Sequence, residues 1–390
     1  MNIAILIPTL GMGGAERAAV SVGSYYHDRG DNVYYFLFAN CGQAFFPVKG
    51  KIVRTHVFFP FSANSYFENI REMLFAAKTF KKLKMQYQID VAISFMEGCN
   101  FINICSKRKE KVFVSVRTVL SERTECSGFI FDKRWIRGLY RHADRVIAVS
   151  EYVKNDLIEK YKLSDKKVVA IPNISVCHKS MDKHMIPWKH GGKAIVCVGR
   201  LDPVKQHERI IRAFSYVYEK QTEAKLIIVG DGKQRNYLTA VCQEMGLEKG
   251  VVFAGAATDV GYYLRHARAF VMASRVEGFP NAMVEAMAYG VPIVTTDSPG
   301  GCGEIVGKEK DSNQIQYCEY GILTPRIKGM PPRQKQLLRE EELLGVGMLK
   351  LLESTELYQE YSEKAKKRAG DYSEEKIMAL WDAIASGYQV

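Results

Sequence analysis

The chain has 390 residues, a length that favours two domains over one. Apolar residues make up 47%, charged residues 25% and aromatic residues 11%, which is typical of a globular protein and excludes disordered, fibrous and collagenous classes. Residues 1–200 carry 31 basic and 17 acidic side chains, a balance of +14, whereas residues 201–390 carry 24 and 26, a balance of −2. We therefore expect the first half to face an anionic partner, either nucleic acid or a membrane surface.

The nine cysteines are scattered and form no Cys-x-x-Cys pair, so the sequence predicts neither a disulfide framework nor a zinc site. Residues 1–7 place no basic segment before the first apolar run. No stretch reaches the roughly 18 apolar residues that a membrane span needs. These features predict a cytoplasmic chain without a signal peptide or a transmembrane helix.

Short apolar, β-branched segments alternate with amphipathic ones, a pattern typical of strands buried in parallel sheets. The predicted strands are 3–7, 33–38, 91–95, 112–116 and 146–149 in a first series, and 194–198, 226–229, 251–254, 269–272, 293–296 and 321–323 in a second. A polar segment at 172–193 predicts a linker between the two series. After Pro332 the pattern indicates three helices through to Ala385.

This order predicts an α/β fold with two Rossmann-like doubly wound domains that face each other across a cleft, followed by a helical C-terminus. The predicted domains are 1–175 and 190–370, and residues 371–390 are expected to form a helix that crosses back to the first domain. Because ligands of open α/β sheets bind at the carboxyl ends of the strands, we expect functional residues in the loops that follow them.

Two such loops have the residues of an anion site. Gly13 and Gly14 follow the first predicted strand and would let helix N-terminal N–H groups approach an anion, although their spacing is not that of a dinucleotide site. Arg200 and Lys205 follow the first strand of the second series, and two cations on one loop suit a diphosphate. The alternatives are glycines that only turn the chain and cations that are merely solvated.

Residues 274–292 give the strongest signal. Glu277 lies on a Gly/Pro loop after a predicted strand, and Asn281 is the expected N-cap of a helix that carries Glu285. One carboxylate on the loop and one on the helix should face different parts of an extended ligand, with the N–H groups between them directed at its phosphate. A lone Glu is more commonly a capping or surface group, but the whole array indicates a binding site.

Together these motifs resemble the retaining, nucleotide-sugar-dependent glycosyltransferases of GT-B architecture, in the large bacterial polysaccharide and lipopolysaccharide group known as family 4. The resemblance covers nearly the whole chain, and the segments that carry it are 13–17, 150–151, 172–173, 199–205, 277–286 and 296–305. It implies transfer of a hexose or N-acetylhexosamine from a UDP-sugar to a hydroxyl of a saccharide acceptor, expected to be lipid-linked, in cell-surface polysaccharide synthesis. The first domain would bind the acceptor and the second the nucleotide sugar.

The resemblance also implies roles for individual residues. Arg200 and Lys205 would bind the donor diphosphate, Glu285 the ribose, and Glu277 the hydroxyls of the transferred sugar, so that Glu277, Arg200 and Lys205 are the catalytic candidates. The remaining donor contacts implied are Gly13, Gly14, Phe253, Ala254, Gly278, Phe279, Pro280, Asn281 and Ala282. Since these cations and the helix dipole near Asn281 stabilise the leaving diphosphate, and no Asp-x-Asp motif is present, we expect neither a metal nor another cofactor.

The chain departs from the family after strand 112–116, where many relatives have His and this sequence has Arg117. Arg117 and Glu97, which follows strand 91–95, are candidate contacts to the acceptor or the transferred sugar. The alternative for Arg117 is a place on a basic surface, and that for Glu97 is a structural carboxylate.

Basic clusters in the first domain are interleaved with apolar residues, and the segment 66–84 predicts an interfacial helix on the inner face of an anionic cell membrane. Its apolar residues at helical spacing are Phe67, Ile70, Leu74 and Phe80, and its lysines are Lys78, Lys81, Lys82 and Lys84. The alternative is that the apolar stripe packs on the sheet and the lysines are solvated.

Other classes of protein are less consistent with the sequence. A nucleotide-sugar 2-epimerase of the same architecture is disfavoured by the Glu277/Glu285 array, and a dehydrogenase by the absence of an acidic residue after the second predicted strand. A non-catalytic basic surface binder is the remaining alternative. No nucleic-acid-binding motif accompanies the positive charge, so nucleic acid is not an expected partner.

Overall fold

Two sheets organise the chain in this computed structural model. The structure describes residues 1–38, 44–55, 66–123, 132–175, 192–257, 259–330 and 335–386. For residues 66–69 it describes only the backbone. The first unit comprises the described residues of Met1–Ile174 and of Glu374–Val390, and the second unit those of Ser175–Ser373. Most of the predicted linker, residues 176–191, lies outside the described residues.

The sheet of the first unit is parallel throughout. Its strands are β1 (Asn2–Ile7), β2 (Asn32–Leu37), β3 (Lys51–Arg54), β4 (Val91–Phe95), β5 (Lys111–Val116), β6 (Arg145–Ala148) and β7 (Val168–Ala170). They lie in the order β3-β2-β1-β4-β5-β6-β7. Because the chain proceeds from β1 to one side and later returns to the other, the switch point of this doubly wound sheet lies between β1 and β4.

The sheet of the second unit repeats this arrangement. Its strands are β8 (Ala194–Val198), β9 (Lys225–Val229), β10 (Val251–Gly255), β11 (Ala269–Met272), β12 (Ile293–Thr296), β13 (Gln316–Cys318) and β14 (Gly321–Thr324). The order is β10-β9-β8-β11-β12-β14-β13, parallel except for the edge pair β13 and β14. Its switch point lies between β8 and β11.

Helices connect the strands of both units. Those of the first unit are α1 (Gly14–Asp28), α2 (Tyr66–Gln86), α3 (Glu97–Cys105), α4 (Lys133–Tyr140), α5 (Glu151–Glu159) and α13 (Glu374–Ser386). Those of the second are α6 (His207–Lys220), α7 (Arg235–Met245), α8 (Val260–Arg265), α9 (Asn281–Ala288), α10 (Gly301–Val306), α11 (Arg339–Glu353) and α12 (Thr355–Ala369). The three helices expected after Pro332 are thus present as α11, α12 and α13.

The last helix, α13, belongs to the first unit through specific side-chain contacts. Trp381 is buried with its ring centroid 6.5 Å from that of Phe95 at the end of β4. Asp382 accepts a hydrogen bond from the Tyr25 hydroxyl at 2.8 Å and forms an ion pair with Arg29. The C-terminal helix is therefore fixed to β4 by an aromatic contact, and to α1 and the residue that follows it by two polar contacts.

Buried charges tie helices to the cores of both units. In the second unit, the Glu341 carboxylate on α11 lies 2.7 Å from Arg209 and 3.3 Å from Arg212, both on α6. In the first unit, the Lys84 ammonium on α2 lies 2.7 Å from the Glu110 carboxylate, and both side chains are almost completely buried. Such groups are costly to leave unpaired, so each set fixes the position of its helix.

The structure revises the predicted interfacial helix. Lys78, Lys81 and Lys82 are exposed, but Lys84 is buried, since it points to the same side of α2 as the buried Phe80 and finds Glu110 there. Ile70 packs against the core and Leu74 is exposed, so the apolar stripe predicted from spacing is divided between the two faces. The side chain of Phe67 lies outside the described residues. Among those described, no helix combines the length and apolarity that a bilayer span requires.

Candidate active site

Three of the predicted site residues of the second unit lie on two loops that follow neighbouring strands. Arg200 and Lys205 follow β8, and Glu277 follows β11. Because β8 and β11 flank the switch point, both loops emerge at the sheet edge where open α/β sheets bind ligands. The backbone N–H of Arg275 donates to the carbonyl of Val204 at 2.7 Å and joins the two loops directly.

The Lys205 ammonium donates a hydrogen bond to Oε1 of Glu277, and the Ser274 hydroxyl donates to the same oxygen at 2.7 Å. Glu277 is nearly buried, whereas Lys205 is partly exposed. Burial opposes the charge on Lys205, but the Glu277 carboxylate outweighs it and raises the pKa of Lys205 above its usual value. Lys205 is therefore a fixed cation at neutral pH.

A glycine fixes the backbone of Glu277. Gly300 has φ +119°, a conformation that other residues rarely adopt, and a Cβ there would lie 1.3 Å from the carbonyl oxygen of Glu277. The N–H of Glu277 donates to the carbonyl of Pro299 at 3.0 Å, and Gly301 donates back to Glu277 at 3.3 Å. The loop between β12 and α10 thus fixes the backbone of Glu277, and only glycine fits at position 300.

Arg200 is the accessible cation of the site. Its side chain is 83% exposed and lies 3.2 Å from the Asp202 carboxylate. The backbone beside it is ordered, because the N–H of Leu201 donates to the carbonyl of Asp231 at 3.0 Å. An exposed guanidinium on a fixed loop can reach a ligand without reorganisation of the backbone.

Helix α9 begins one residue earlier than expected. Pro280 occupies the cap position with φ −80° and ψ 82°, which is not helical, so Asn281 is the first helical residue and not the predicted N-cap. Pro280 makes no side-chain hydrogen bond to the helix. Glu285 is buried on α9, as a carboxylate that faces inward from the helix. Phe279 is also buried and packs edge-on against Tyr372, with ring centroids 5.2 Å apart.

Phe253 and Ala254 lie in β10, two strands from β8. At about 4.8 Å per strand, they are roughly 10 Å from the loop of Arg200 and Lys205, an interval that a nucleotide diphosphate can span. The Arg235 guanidinium lies 4.5 Å from the Phe253 ring centroid and donates to the Phe253 carbonyl at 3.4 Å. The structure thus places these residues on the same sheet edge as the cations but not in contact with them.

The glycine loop of the first unit holds a carboxylate at the N-terminus of α1. Gly13 is the N-cap residue of α1 and, as a glycine, has no side chain that could cap the helix. The Glu16 carboxylate folds over it, since a Cβ on Gly13 would lie 2.2 Å from Oε2, and Thr9 donates to Oε1 at 3.2 Å. Gly14 is the first residue of α1. A ligand anion would have to replace Glu16 at this position.

Glu97 is buried and Arg117 is half-buried in the first unit. Burial raises the pKa of Glu97, although the Arg123 guanidinium at 3.4 Å lowers it in part. Arg117 donates to the Ser115 hydroxyl at 3.2 Å and to the side-chain oxygen of Asn173, and burial lowers its pKa to about 9, so it stays charged at neutral pH. Arg117 is half-buried, and its guanidinium is held by these two hydrogen bonds.

Two polar groups near the catalytic candidates were missing from the sequence-based site. Ser274 orients the Glu277 carboxylate, and its only signal was its place in the same motif. His207 begins α6, two residues after Lys205, and is buried, with Nδ1 unpartnered among the described residues. Burial and the nearby Lys205 charge lower the pKa of His207 to about 4, so the ring is neutral at pH 7.

Two family models match the chain. Residues 12–174 match Glycosyltransferase Family 4, and residues 180–318 match Glycosyl transferases group 1. Together with the two doubly wound sheets, these matches show that the chain belongs to the GT-B glycosyltransferases of the family 4 type. This assignment favours the glycosyltransferase prediction over the epimerase, dehydrogenase and non-catalytic alternatives.

Individual proteins extend the comparison. An uncharacterized glycosyltransferase of Methanocaldococcus jannaschii is 30% identical over 263 residues, just under two thirds of its length (64% of each chain). The N-acetylgalactosamine-N,N'-diacetylbacillosaminyl-diphospho-undecaprenol 4-alpha-N-acetylgalactosaminyltransferase of Campylobacter jejuni is 28% identical over 308 residues, 78% of each chain. The crystal structure of Anabaena HepE in complex with UDP and glucose has a similar fold, with a TM-score of 0.73, 18% identity and 99% of both chains covered.

Proposed function

We propose that the protein transfers a hexose or N-acetylhexosamine from a UDP-sugar to a hydroxyl of a saccharide acceptor, with the anomeric configuration retained, in cell-surface polysaccharide synthesis. The Lys205–Glu277 pair carries this proposal, because it sets a cation for a diphosphate beside a carboxylate for sugar hydroxyls at a switch point. The name of the Campylobacter relative supports a lipid-linked acceptor. The ligands of Anabaena HepE support a UDP-sugar donor.

Charge on the departing diphosphate is what the site must stabilise. Arg200 is accessible and Lys205 carries a fixed charge, so both can approach the diphosphate oxygens. The N-terminus of α9 adds backbone N–H groups and the positive end of a helix dipole. We expect these preorganised groups to stabilise the leaving group without a metal ion.

Glu277 is suited to orient the transferred sugar. Both of its side-chain donors, Lys205 and Ser274, approach Oε1. In the described part of the chain no such bond to Oε2 is present, and this oxygen is the acceptor we assign to the sugar hydroxyls. Ser274 is then a positioning residue for the carboxylate.

The order of groups along the sheet edge follows that of a nucleotide sugar. Phe253 and Ala254 on β10 would hold the base, the loop after β8 the diphosphate, and Glu277 after β11 the sugar. Glu285, buried on α9, would accept from the ribose hydroxyls. In the first unit, Gly13 and Gly14 remain proposed donor contacts. Glu97 and Arg117 remain the proposed contacts to the acceptor or the transferred sugar.

We further propose that the first unit attaches to the anionic inner face of the cell membrane through one face of α2. Its exposed basic residues are Arg71, Lys78, Lys81 and Lys82, and exposed among them are the apolar side chains of Leu74 and Phe75, at 51% and 61%. Basic and large apolar side chains interleaved on one helix face match an anionic lipid surface in both charge and polarity. A lipid-linked acceptor would be reached from that position.

Turnover with a panel of UDP-sugars tests the proposed reaction. Purified protein is incubated with UDP-hexoses and UDP-N-acetylhexosamines and a lipid-linked saccharide extract, and UDP release is measured. We expect acceptor-dependent UDP release from one or a few donors, and loss of it in the Lys205→Ala variant. Release with GDP-sugars alone would contradict the donor assignment, and an inverted anomeric product would contradict retention.

A further inference from the structure

The first unit contains a pocket of about 560 Å³ that none of the proposed site residues lines. Its walls come from one face of α4 and the residue after it, the start of β6 and the segment between α5 and β7. Half of the ten lining residues are cationic and none is acidic. The cationic residues are Arg134, Arg137, Arg141, Lys162 and Lys167. We refer to it as the basic pocket.

The basic pocket lies at the amino ends of the strands. Val146 is near the start of β6, and Lys167 directly precedes β7. Gly13, Glu97 and Arg117, by contrast, follow the carboxyl ends of β1, β4 and β5. Because parallel strands place these two sets of ends on opposite edges of the sheet, the basic pocket is separate from the acceptor-side residues of this unit.

Two carboxylates near the pocket, Asp132 and Asp144, each have a partner other than a pocket guanidinium or ammonium group. Asp144 lies 2.8 Å from Lys107, and Asp132 accepts from the backbone N–H of Arg134 at 2.7 Å. Lys167 is held by the carbonyls of Ala143, at 2.8 Å, and Arg141. Burial lowers the pKa of Lys167, and the Lys107 and Arg145 charges lower it further, against an opposing effect of Asp144. The five cations of the pocket have no acidic residue among the other lining side chains, and a bound anion would balance part of their charge.

Gly138 leaves space on the helical wall of the pocket. It lies within α4, where glycine is about 1 kcal/mol less favourable than alanine. No heavy atom lies within 4 Å of the position that a Cβ would take. The wall between Arg134, Arg137 and Arg141 is therefore open, and a larger side chain at position 138 would occupy the pocket.

We propose that the basic pocket binds a phosphate-bearing anion, separately from the nucleotide sugar. Guanidinium groups pair with phosphate oxygens in a bidentate manner, and lysine ammonium groups add point charges. The volume is within the range of small-ligand sites, about 300–1,000 Å³. Two sources offer this chemistry: the headgroup of an anionic phospholipid and a soluble phosphorylated compound.

Trp135 provides a signal for binding, because it lies on α4 beside the pocket residues and is 40% exposed. Pyrophosphate is titrated into the full-length protein with UDP in excess, so that any diphosphate site in the second unit is occupied. The intrinsic fluorescence, to which Trp135 contributes together with Trp188 and Trp381, is followed. Sedimentation with phosphatidylglycerol vesicles, against phosphatidylcholine vesicles, tests the lipid source. The variants are Arg137→Ala with Arg141→Ala, and Gly138→Leu, which fills the space without changing the charge.

The matched control is Arg108→Ala with Lys109→Ala, which removes two exposed cations of the same unit outside the pocket. We expect the control to bind as the wild type does, and each pocket variant to bind at least about tenfold more weakly, the loss typical of one charge-assisted contact. If the pocket variants lose affinity in the pyrophosphate titration, the ligand is a soluble anion. If they lose affinity only for phosphatidylglycerol vesicles, the ligand is a lipid headgroup.

Three results would overturn the proposal: no binding of either probe by the wild type, equal weakening by control and pocket variants, or wild-type binding by Gly138→Leu. Thermal unfolding of each variant shows that it is folded. UDP titration of the same variants keeps the two proposals apart, since a failure of UDP binding contradicts the donor site and leaves the pocket result intact.

Discussion

The Lys205 ammonium and the Glu277 carboxylate are ion-paired, although 72 residues separate them in the sequence. The loops that carry them follow strands β8 and β11, which are neighbours in the sheet. The pair sets a cation beside a nearly buried carboxylate, and it raises the pKa of Lys205. Removal of either partner would leave the other without its counter-charge, so the two positions should be energetically coupled.

Glu277→Gln and Glu285→Ala should separate sugar binding from nucleotide binding. Glu285→Ala should weaken UDP binding, because the proposed ribose contact exists in free UDP. Glu277→Gln should lower turnover and leave UDP affinity nearly unchanged, because its proposed contact is to the sugar. Isothermal titration with UDP, alongside turnover, distinguishes the two effects. Equal loss of UDP affinity in both variants would contradict these roles.

Arg200→Ala and Lys205→Ala should each lower turnover by about 10²–10³, the cost typical of losing one preorganised charge-stabilising group. Lys220→Ala, which removes an exposed lysine of the same unit, is the control and should have wild-type activity. EDTA should have little effect on the wild type. Activity lost with EDTA and restored by Mg²⁺ or Mn²⁺ would show that a metal stabilises the diphosphate instead.

Membrane attachment should depend on the exposed lysines of α2. Replacing Lys78, Lys81 and Lys82 with Ser should weaken binding to anionic liposomes by up to about 100-fold at low salt, since each contributes about 1 kcal/mol before screening. The control variant replaces three lysines of the second unit with Ser and removes the same amount of charge, so its binding to anionic liposomes should change little. These lysines are Lys220, Lys249 and Lys350. Sedimentation is the measurement. Equal binding of the wild type to neutral and anionic liposomes would contradict a charge-based attachment.

Lys84, on the same helix, should behave differently from its neighbours. Lys84→Ala leaves the Glu110 carboxylate buried without its cation, and should lower the free energy of unfolding of the first unit by about 3–5 kcal/mol. Lys82→Ala removes an exposed charge and should change it by less than about 0.5 kcal/mol. Urea unfolding followed by circular dichroism measures both. Similar midpoints for the two variants would show that the buried pair contributes little.

Long apolar strands and the loops after them could be predicted from the sequence, because burial on both faces leaves a continuous local pattern. The short edge strands β3 and β13 could not, since they have only four and three residues and are largely exposed or half-buried. The approach of Lys205 to Glu277 depends on the order of strands in the sheet, which no local pattern encodes. The burial of Lys84 likewise depends on Glu110, a partner 26 residues away.

His207 should make the stability of the second unit sensitive to acid. The pKa of His207 is about 4 in the folded protein, because of burial and the nearby Lys205 charge, with Asp202 opposing; in the unfolded chain it is near 6.5. Above pH 6.5 the ring is neutral in both states and contributes no pH dependence. As the pH falls from 6.5 to 4, the unfolded chain binds a proton that the folded chain does not, so the free energy of unfolding falls by up to about 3 kcal/mol.

The variant His207→Phe keeps a ring of similar size and removes the titrating group. Its free energy of unfolding, from urea titrations at pH 7, 5.5 and 4, should therefore fall by about 3 kcal/mol less than that of the wild type across this interval. His142→Phe, which alters an exposed histidine of the first unit, is the control and should follow the wild type. If His207→Phe lost stability with pH as steeply as the wild type, protonation of His207 would not be the cause of the acid sensitivity.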